Sequence, residues 1–486
     1  MSGNYLFWPT MTLTIGFLAW LGGTKLRRGA LLSPYSLMLL ILVSIFGVRP
    51  LLMPDEPKSF GFYGIDISLG FGDAAFLGFV GTISFIVGAL SWGLLVARKQ
   101  EPLTMTDLTP VQSWAPRRSV FIAWSLSIGW LLLMIVIGGG VGFLAQLFGG
   151  RSEAVISKLE NVPAFVGALP AIGCLVIATV RFRYERLQPY SRSQNIGYWL
   201  VAIGSIVPPS ALGTRRYLIP CVIIALMGTL SNHWQKRIKP SWIVVGVVAF
   251  VALAILPFVR SAGSRTARGE ADLVGAMGAY FQDVGLRGTL NNFFLSYDTE
   301  MFNYVAYMTQ TMGKTIPFGM GRGTIGELIT MPLPAAITPF QRWADYLLTQ
   351  SFGANCGYQS ACPVPSIVGI LFSDLALPGL VVGMVILGIM AARFERHLMA
   401  SDGTMTGVLL LTAGFAVAFA RGNSLAQVWI AVQCFIVWWV VQRLFLHSSK
   451  EKANESQRHR PASGLMEERN SLKLPVDAAG RKTQLQ

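Results

Sequence analysis

The chain has 486 residues, 53% of them hydrophobic and only 13% charged, with a mean hydropathy of +0.53. These proportions exclude an ordinary soluble domain, because most of the apolar runs are apolar all round and leave no polar face for water. The formal net charge is +15, from 39 Lys and Arg against 24 Asp and Glu, and its placement along the chain carries the topology.

Crossing a bilayer core takes roughly 20 apolar residues. Eleven runs qualify, near 4–24, 33–53, 72–97, 119–147, 163–180, 195–212, 216–234, 241–259, 365–392, 404–420 and 424–446. No basic residue precedes the first run, and Lys25, Arg27 and Arg28 follow it. That is the pattern of an uncleaved first span whose N-terminus lies outside. The expected fold is an all-α polytopic membrane protein with about eleven transmembrane helices.

Alternating from that first span, the basic loops fall inside as the positive-inside rule requires. They are Lys25/Arg27/Arg28, Arg98/Lys99 with Arg117/Arg118, Arg181/Arg183/Arg186/Arg192, Lys236/Arg237/Lys239 and Arg393/Arg396. The tail after Leu446 also falls inside, and its eight scattered Lys and Arg read as a solvated, disordered segment beside anionic lipid.

Some arginines break the rule. Arg215 and Arg216 in ALGTRRYLIP stand at the outer turn between the sixth and seventh spans, and Arg421 in AFARGNS at the turn between the tenth and eleventh. Arg260, Arg265 and Arg268 stand where the chain leaves the eighth span. Any one of them fits snorkelling to lipid phosphates or pairing with Glu270 or Asp272. As a set, cations held at outer span ends against the insertion bias point to an anionic ligand.

Four regions follow: spans one to eight in 1–259, a large extracytoplasmic segment in 260–364, spans nine to eleven in 365–446, and the tail in 447–486. The extracytoplasmic segment is too long for a plain connector. Within 291–313, Phe294, Tyr297, Met301, Tyr304, Val305 and Met308 recur at helical spacing, which predicts an amphipathic helix on the membrane surface. A weaker helix of the same kind is expected over 270–284, and the Pro and Gly of 314–343 predict turns and short helices.

Cys174, Cys221 and Cys434 lie in spans and read as small core residues. Cys356 and Cys362, in CGYQSAC on the oxidising outer side, are expected to form a disulfide, with two free thiols as the alternative. The histidines at 233, 397, 447 and 459 all map inside, so no outer histidine base is available, and no Walker A or GxSxG signature is present.

Several features together resemble the O-antigen and exopolysaccharide repeat-unit polymerase family. They are about eleven spans, the arginine turn GTRRYLIP between central spans, one large outer segment late in the chain, and a span opening PSIVGILFSDLALPGLVVGMVILG. That last run resembles the family's pattern of a short helix ending near an acidic or polar residue, then a turn and a long apolar span. Asp374 stands near the acidic position. The resemblance implies a metal-independent glycosyltransferase without cofactor in the bacterial inner membrane. It would pass a growing glycan from polyprenyl diphosphate onto a lipid-linked repeat unit at the outer face. The implied partners are the lipid-linked oligosaccharide, membrane lipids, and chain-length regulator and flippase proteins, with no nucleic acid. The related ligases tend to carry an external histidine, which this chain lacks.

Such a reaction needs charge neutralisation at the leaving diphosphate, which guanidinium groups supply. Arg215 and Arg216 are the first candidates; Arg421, Arg260, Arg265 and Arg268 are further substrate-binding candidates. A base for the acceptor hydroxyl must be a carboxylate. Asp298 and Glu300 lead, ahead of Asp283, Glu327, Asp345 and Asp374, because Tyr297 and Tyr304 beside them offer faces for sugars. For each carboxylate alone the alternative is a solvated acid or an arginine partner. Two rival classes remain. One is another lipid-linked glycan transferase, either a ligase or a polyprenyl-phosphate-sugar enzyme using Asp55 and Glu56; the other is a glycan transporter without chemistry.

Overall fold

The computed structural model describes residues 5–26, 32–55, 60–97, 115–143, 164–185, 189–211, 215–229, 299–330, 342–352, 364–397, 403–422 and 424–446, with isolated positions between 285 and 295. Met1–Trp439 forms one compact unit and Val440–Gln486 a second, in which the described residues are helical. Apart from one two-stranded hairpin and an isolated bridge, the regular structure among the described residues is helical.

Helix α1 is Phe7–Leu26 and α2 runs over Pro34–Leu52. Ser33 caps α2 by accepting a hydrogen bond from the Ser36 amide at 3.2 Å, and Pro34 follows it where a missing N–H costs nothing. A π-helical stretch at Ser44–Val48 then leads into the last turn, Arg49–Leu52. The hairpin pairs β1, Gly61–Phe62, with β2, Ile65–Asp66. Its two turn residues, Tyr63 and Gly64, both have positive φ, 50° and 82°, as the tight turn that matches strand twist requires. The Asp66 carboxylate accepts the Ser68 amide at 2.8 Å and opens the turn into α3, Phe71–Ala97.

Next come α4, Ala115–Gly138; α5, Leu169–Tyr184; α6, Arg192–Ala211; and α7, Arg215–Thr229. Two short helices, α8 at Met301–Thr311 and α9 at Trp343–Phe352, precede α10, Ile367–His397. The described chain closes with α11, Gly403–Arg421, and α12, Ser424–Val441.

Among the described residues five helices are long and apolar enough to cross a membrane: Pro34–Leu52, Ser68–Trp92, Ala115–Gly138, Ile367–Phe394 and Gln427–Leu444. Leu218–Thr229 and Thr406–Arg421 are shorter apolar helices. All seven coincide with expected spans. Helices α1, α5 and α6 occupy three more without meeting the same length and hydropathy, and the span expected at 241–259 lies outside the described residues. The fold is therefore all-α and consistent with a membrane protein.

The largest helix contact joins α3 to α10. It is set by glycine: a Cβ on Gly88 would come within 2.1 Å of the Val385 carbonyl oxygen, and one on Gly388 within 2.1 Å of that of Phe85. Small residues let the two backbones touch, which is how helices associate where no hydrophobic drive separates lipid from side chain.

The expected surface helix differs from the observed one. Among the described residues of that run Met301–Thr311 forms a continuous helix, and residues 301 to 308 are all buried rather than apolar on one face. The reason is enclosure by the protein: Gly70 meets the Ala306 carbonyl, Val305 and Met308 meet Gly369, and Phe62 and Phe352 close on Tyr304 and Tyr307. Arg181, expected in a basic loop, lies in the last turn of α5 and is buried. Its charge is met by Glu185 at 2.8 Å and by the Tyr198 ring, 4.3 Å from the guanidinium carbon.

Candidate functional site

Three constructions meet at the end of the helices where α8 lies. The first is the break in α10. Pro378 lacks an amide hydrogen, and its ring clashes with the carbonyl four residues earlier, so the helix interrupts at Leu375 (φ −128°, ψ 22°) and Ala376 (φ 54°, ψ −154°). The freed carbonyls of Ser373 and Asp374 accept the amides of Gly319 and Met320 at 3.0 and 2.8 Å. The sequence GMGRG then wraps the Asp374 carboxylate. Oδ1 accepts the amides of Gly321 and Gly323, each at 2.9 Å, and Oδ2 accepts the Thr324 hydroxyl at 2.6 Å. Trp343 donates to Ser373 Oγ at 3.1 Å and shields the group. Asp374 is fully buried, so its carboxylate secures a backbone turn.

The second construction is the anchor of α8. Arg49, from the last turn of α2, is 3% exposed. Its Nε donates to Asn303 Oδ1 at 3.2 Å, and one terminal nitrogen donates to the Phe294 carbonyl at 3.2 Å and to Thr299 Oγ1 at 2.8 Å. Thr299 in turn donates to the Phe294 carbonyl. A cation from near the N-terminus thus gathers groups some 250 residues away. Glu300 stands at the N-cap of α8 within its field. Burial pushes the Glu300 carboxyl up to about 7, against the pull of the Arg49 charge. A carboxyl in that range exchanges its proton near neutral pH, as a general acid or base must.

Above α8 lies an aromatic cluster. Phe62, Tyr63, Tyr304, Tyr307 and Phe352 meet with ring centroids 5.0 to 6.3 Å apart. Tyr304 is fully buried, its ring packed by protein, and burial pushes its hydroxyl well above the usual phenol range. Glu327, another carboxylate candidate, is buried and accepts the Ala344 amide at 2.8 Å, capping α9. Burial raises its carboxyl above the ordinary value. Asp345 is exposed in the first turn of the same helix.

The third construction holds Arg421, the last residue of α11. Gly422 follows at φ +146°, where a Cβ would come within 2.4 Å of the Pro365 carbonyl oxygen. Pro365 borders Gly369, which touches Val305 and Met308 of α8. Arg421 therefore lies beside the entry to α10, one layer from α8. On the same helix Gly414 packs against Ile224 and the Pro220 carbonyl of α7. Arg421 is two turns from that crossing and Arg215 and Arg216, which begin α7, about one, or about 10 and 6–8 Å at 1.5 Å per residue.

The structure thus brings Glu300, Arg421 and the buried Arg49 to one end of the helices. Arg49 escaped the sequence reading, although FGVRPLL at the end of the second expected span carries the same signal as Arg421. Arg260, Arg265, Arg268, Asp283, Tyr297, Asp298, Cys356 and Cys362 lie outside the described residues. Cys174, Cys221 and Cys434 are buried free thiols within helices, as expected. Compared with models of protein families, with curated proteins and with solved structures, the chain matches none.

Proposed function

We propose that the protein is a glycosyltransferase that polymerises polyprenyl-diphosphate-linked oligosaccharide units at the outer face of a bacterial inner membrane. In this reading the chain spans the membrane eleven times, with its N-terminus outside and its tail in the cytoplasm. Alternating spans make α7 and α11 antiparallel, so the crossing of Gly414 on Pro220 and Ile224 carries Arg215, Arg216 and Arg421 to the same outer level. The observation that supports the proposal is that crossing, with the three arginines at the adjoining ends of α7 and α11. The three cations neutralise the leaving diphosphate, and Glu300, with its carboxyl near 7, takes the proton of the acceptor hydroxyl.

The test is polymer chain length in cells carrying Arg215→Ala, Arg216→Ala or Arg421→Ala at matched expression. A charge-assisted hydrogen bond contributes about 1.5–3 kcal/mol, so loss of the critical arginine slows polymerisation about ten-fold or more. Single repeat units accumulate in that variant while the protein inserts normally. Full-length polymer in all three variants overturns the proposal. The topology has its own check: a cysteine at 214 reacts with an impermeant thiol reagent in intact cells, and one at 236 only after lysis.

A further inference from the structure

A groove of about 380 Å³ runs between α2, α10, α11 and α12, within the ~300–1,000 Å³ of small-molecule pockets. Its floor is formed by buried Met38, Leu411, Phe415 and Ala416, and Met390 and Val432, 44% and 36% exposed, stand at its rims. The groove therefore opens sideways from the helices, where a membrane protein meets lipid. Along α11 it extends from Val408 to Phe419, about 16 Å at 1.5 Å per residue. That is over half of a ~30 Å hydrocarbon core. A long, narrow, apolar slot parallel to the helices fits an extended hydrocarbon chain and not a compact ligand.

The polar end of the slot is marked by Gln427. It is 4% exposed, it lines the groove, and its Oε1 has no hydrogen-bond partner among the described residues. A buried amide oxygen in that condition costs free energy until a donor reaches it. Gln427 begins the second turn of α12, immediately after the turn that carries Arg421. The apolar slot thus ends beside the arginine already placed in the diphosphate site.

We infer that this groove holds the isoprenoid chain of the lipid carrier, with Gln427 receiving a hydroxyl or water-bridged donor of the head group at its upper end. The inference rests on the proposed polymerase reading for its choice of lipid. The groove enters from the bilayer, so the carrier slides in laterally without leaving the membrane, and its phosphates arrive at Arg421.

The test uses full-length protein in detergent, incubated with undecaprenyl diphosphate or with phosphatidylglycerol, and native mass spectrometry of the retained lipid. Ala431→Trp fills the slot, and Ala431→Leu narrows it in case the larger residue prevents folding. Leu132→Trp, on a 58% exposed face of α4, is the control. The expected result is retention of undecaprenyl diphosphate by wild type and control, reduced at least ten-fold by the Ala431 variants, with phosphatidylglycerol failing to compete. Equal retention by an Ala431 variant, or competition by phosphatidylglycerol at equal concentration, overturns the inference. Arg421→Ala cells lacking polymer while Ala431→Trp cells keep it would sink the groove alone. Lipid retention blocked by Ala431→Trp, with normal polymer in every arginine variant, would instead sink the polymerase reading.

Discussion

Replacing Arg49 by methionine removes the cation but keeps an unbranched apolar stem in the same space. In the native structure that guanidinium satisfies Asn303 Oδ1, Thr299 Oγ1 and the Phe294 carbonyl. Asn303 and Thr299 are 2% and 7% exposed, so neither finds water when the arginine is gone. A hydrogen bond to a charged group contributes about 1.5–3 kcal/mol, so losing the two to Asn303 and Thr299 costs about 3–6 kcal/mol. The cost falls locally, on the docking of α8 against the end of α2, because both partners belong to the segment that enters α8. Hydrogen exchange of residues 301–311 in detergent reads that docking, and protection there should fall by more than ten-fold while α3 and α10 stay protected. Arg49→Lys keeps the charge and loses the fork, so it should fall between. The pair Arg49→Met with Asn303→Leu, which removes both partners, should recover part of the loss. Unchanged protection of 301–311 in Arg49→Met would refute the view that this arginine fastens α8.

Three further outcomes follow from the same geometry. Because the folded carboxyl of Glu300 titrates near 7 instead of the ordinary 4.5, its protonated form stabilises the fold below pH 4.5. That contribution is lost as pH rises through 7. Glu300→Gln should therefore flatten the stability profile across that window, and it should also abolish a polymerisation rate that in wild type rises with pH toward a plateau above 7. Asp374→Ala removes the acceptor of the half-buried Gly321 amide and orphans the buried Gly323 amide, the latter alone costing about 1–3 kcal/mol; Asp374→Asn keeps an acceptor and should recover most of it in thermal unfolding in detergent. Gly388→Ala drives a methyl into the Phe85 carbonyl, so the protein should accumulate at well under half the wild-type level, whereas Gly72→Ala, with open space around it, should not.

Hydrophobic length and the distribution of basic residues made most of the helices legible. A run of 20 apolar residues has one cheap way to satisfy its backbone in a membrane. The same logic exposed Arg421, because a cation at that span end opposes insertion. Arg49 sits at a comparable span end and carries the same signal, yet the sequence reading did not single it out. What separates it is Asn303 and Thr299, some 250 residues further on, and no periodicity within either segment reports a contact at that range. The 291–313 run failed for the opposite reason. Its apolar spacing was read as one face toward lipid, yet a helix enclosed by a hairpin and by Phe352 buries a polar position too, Asn303. Asn303 is polar because Arg49 needs an acceptor, not because it faces water.

Glu300 and Asp374 show how far residue type alone carries a site. Both are acids near a helix end, and composition ranks them only by neighbourhood. The structure separates them by occupancy. Asp374 has both oxygens engaged by groups of the turn it holds. Glu300 caps nothing with its side chain; what perturbs it is burial beside a cation, a balance that leaves the proton free to move near neutral pH. An acid bonded through both oxygens to the turn around it maintains structure, and an acid held between desolvation and a charge is available for chemistry. On that criterion Glu300, and not Asp374, is the carboxylate to mutate first in a search for the base.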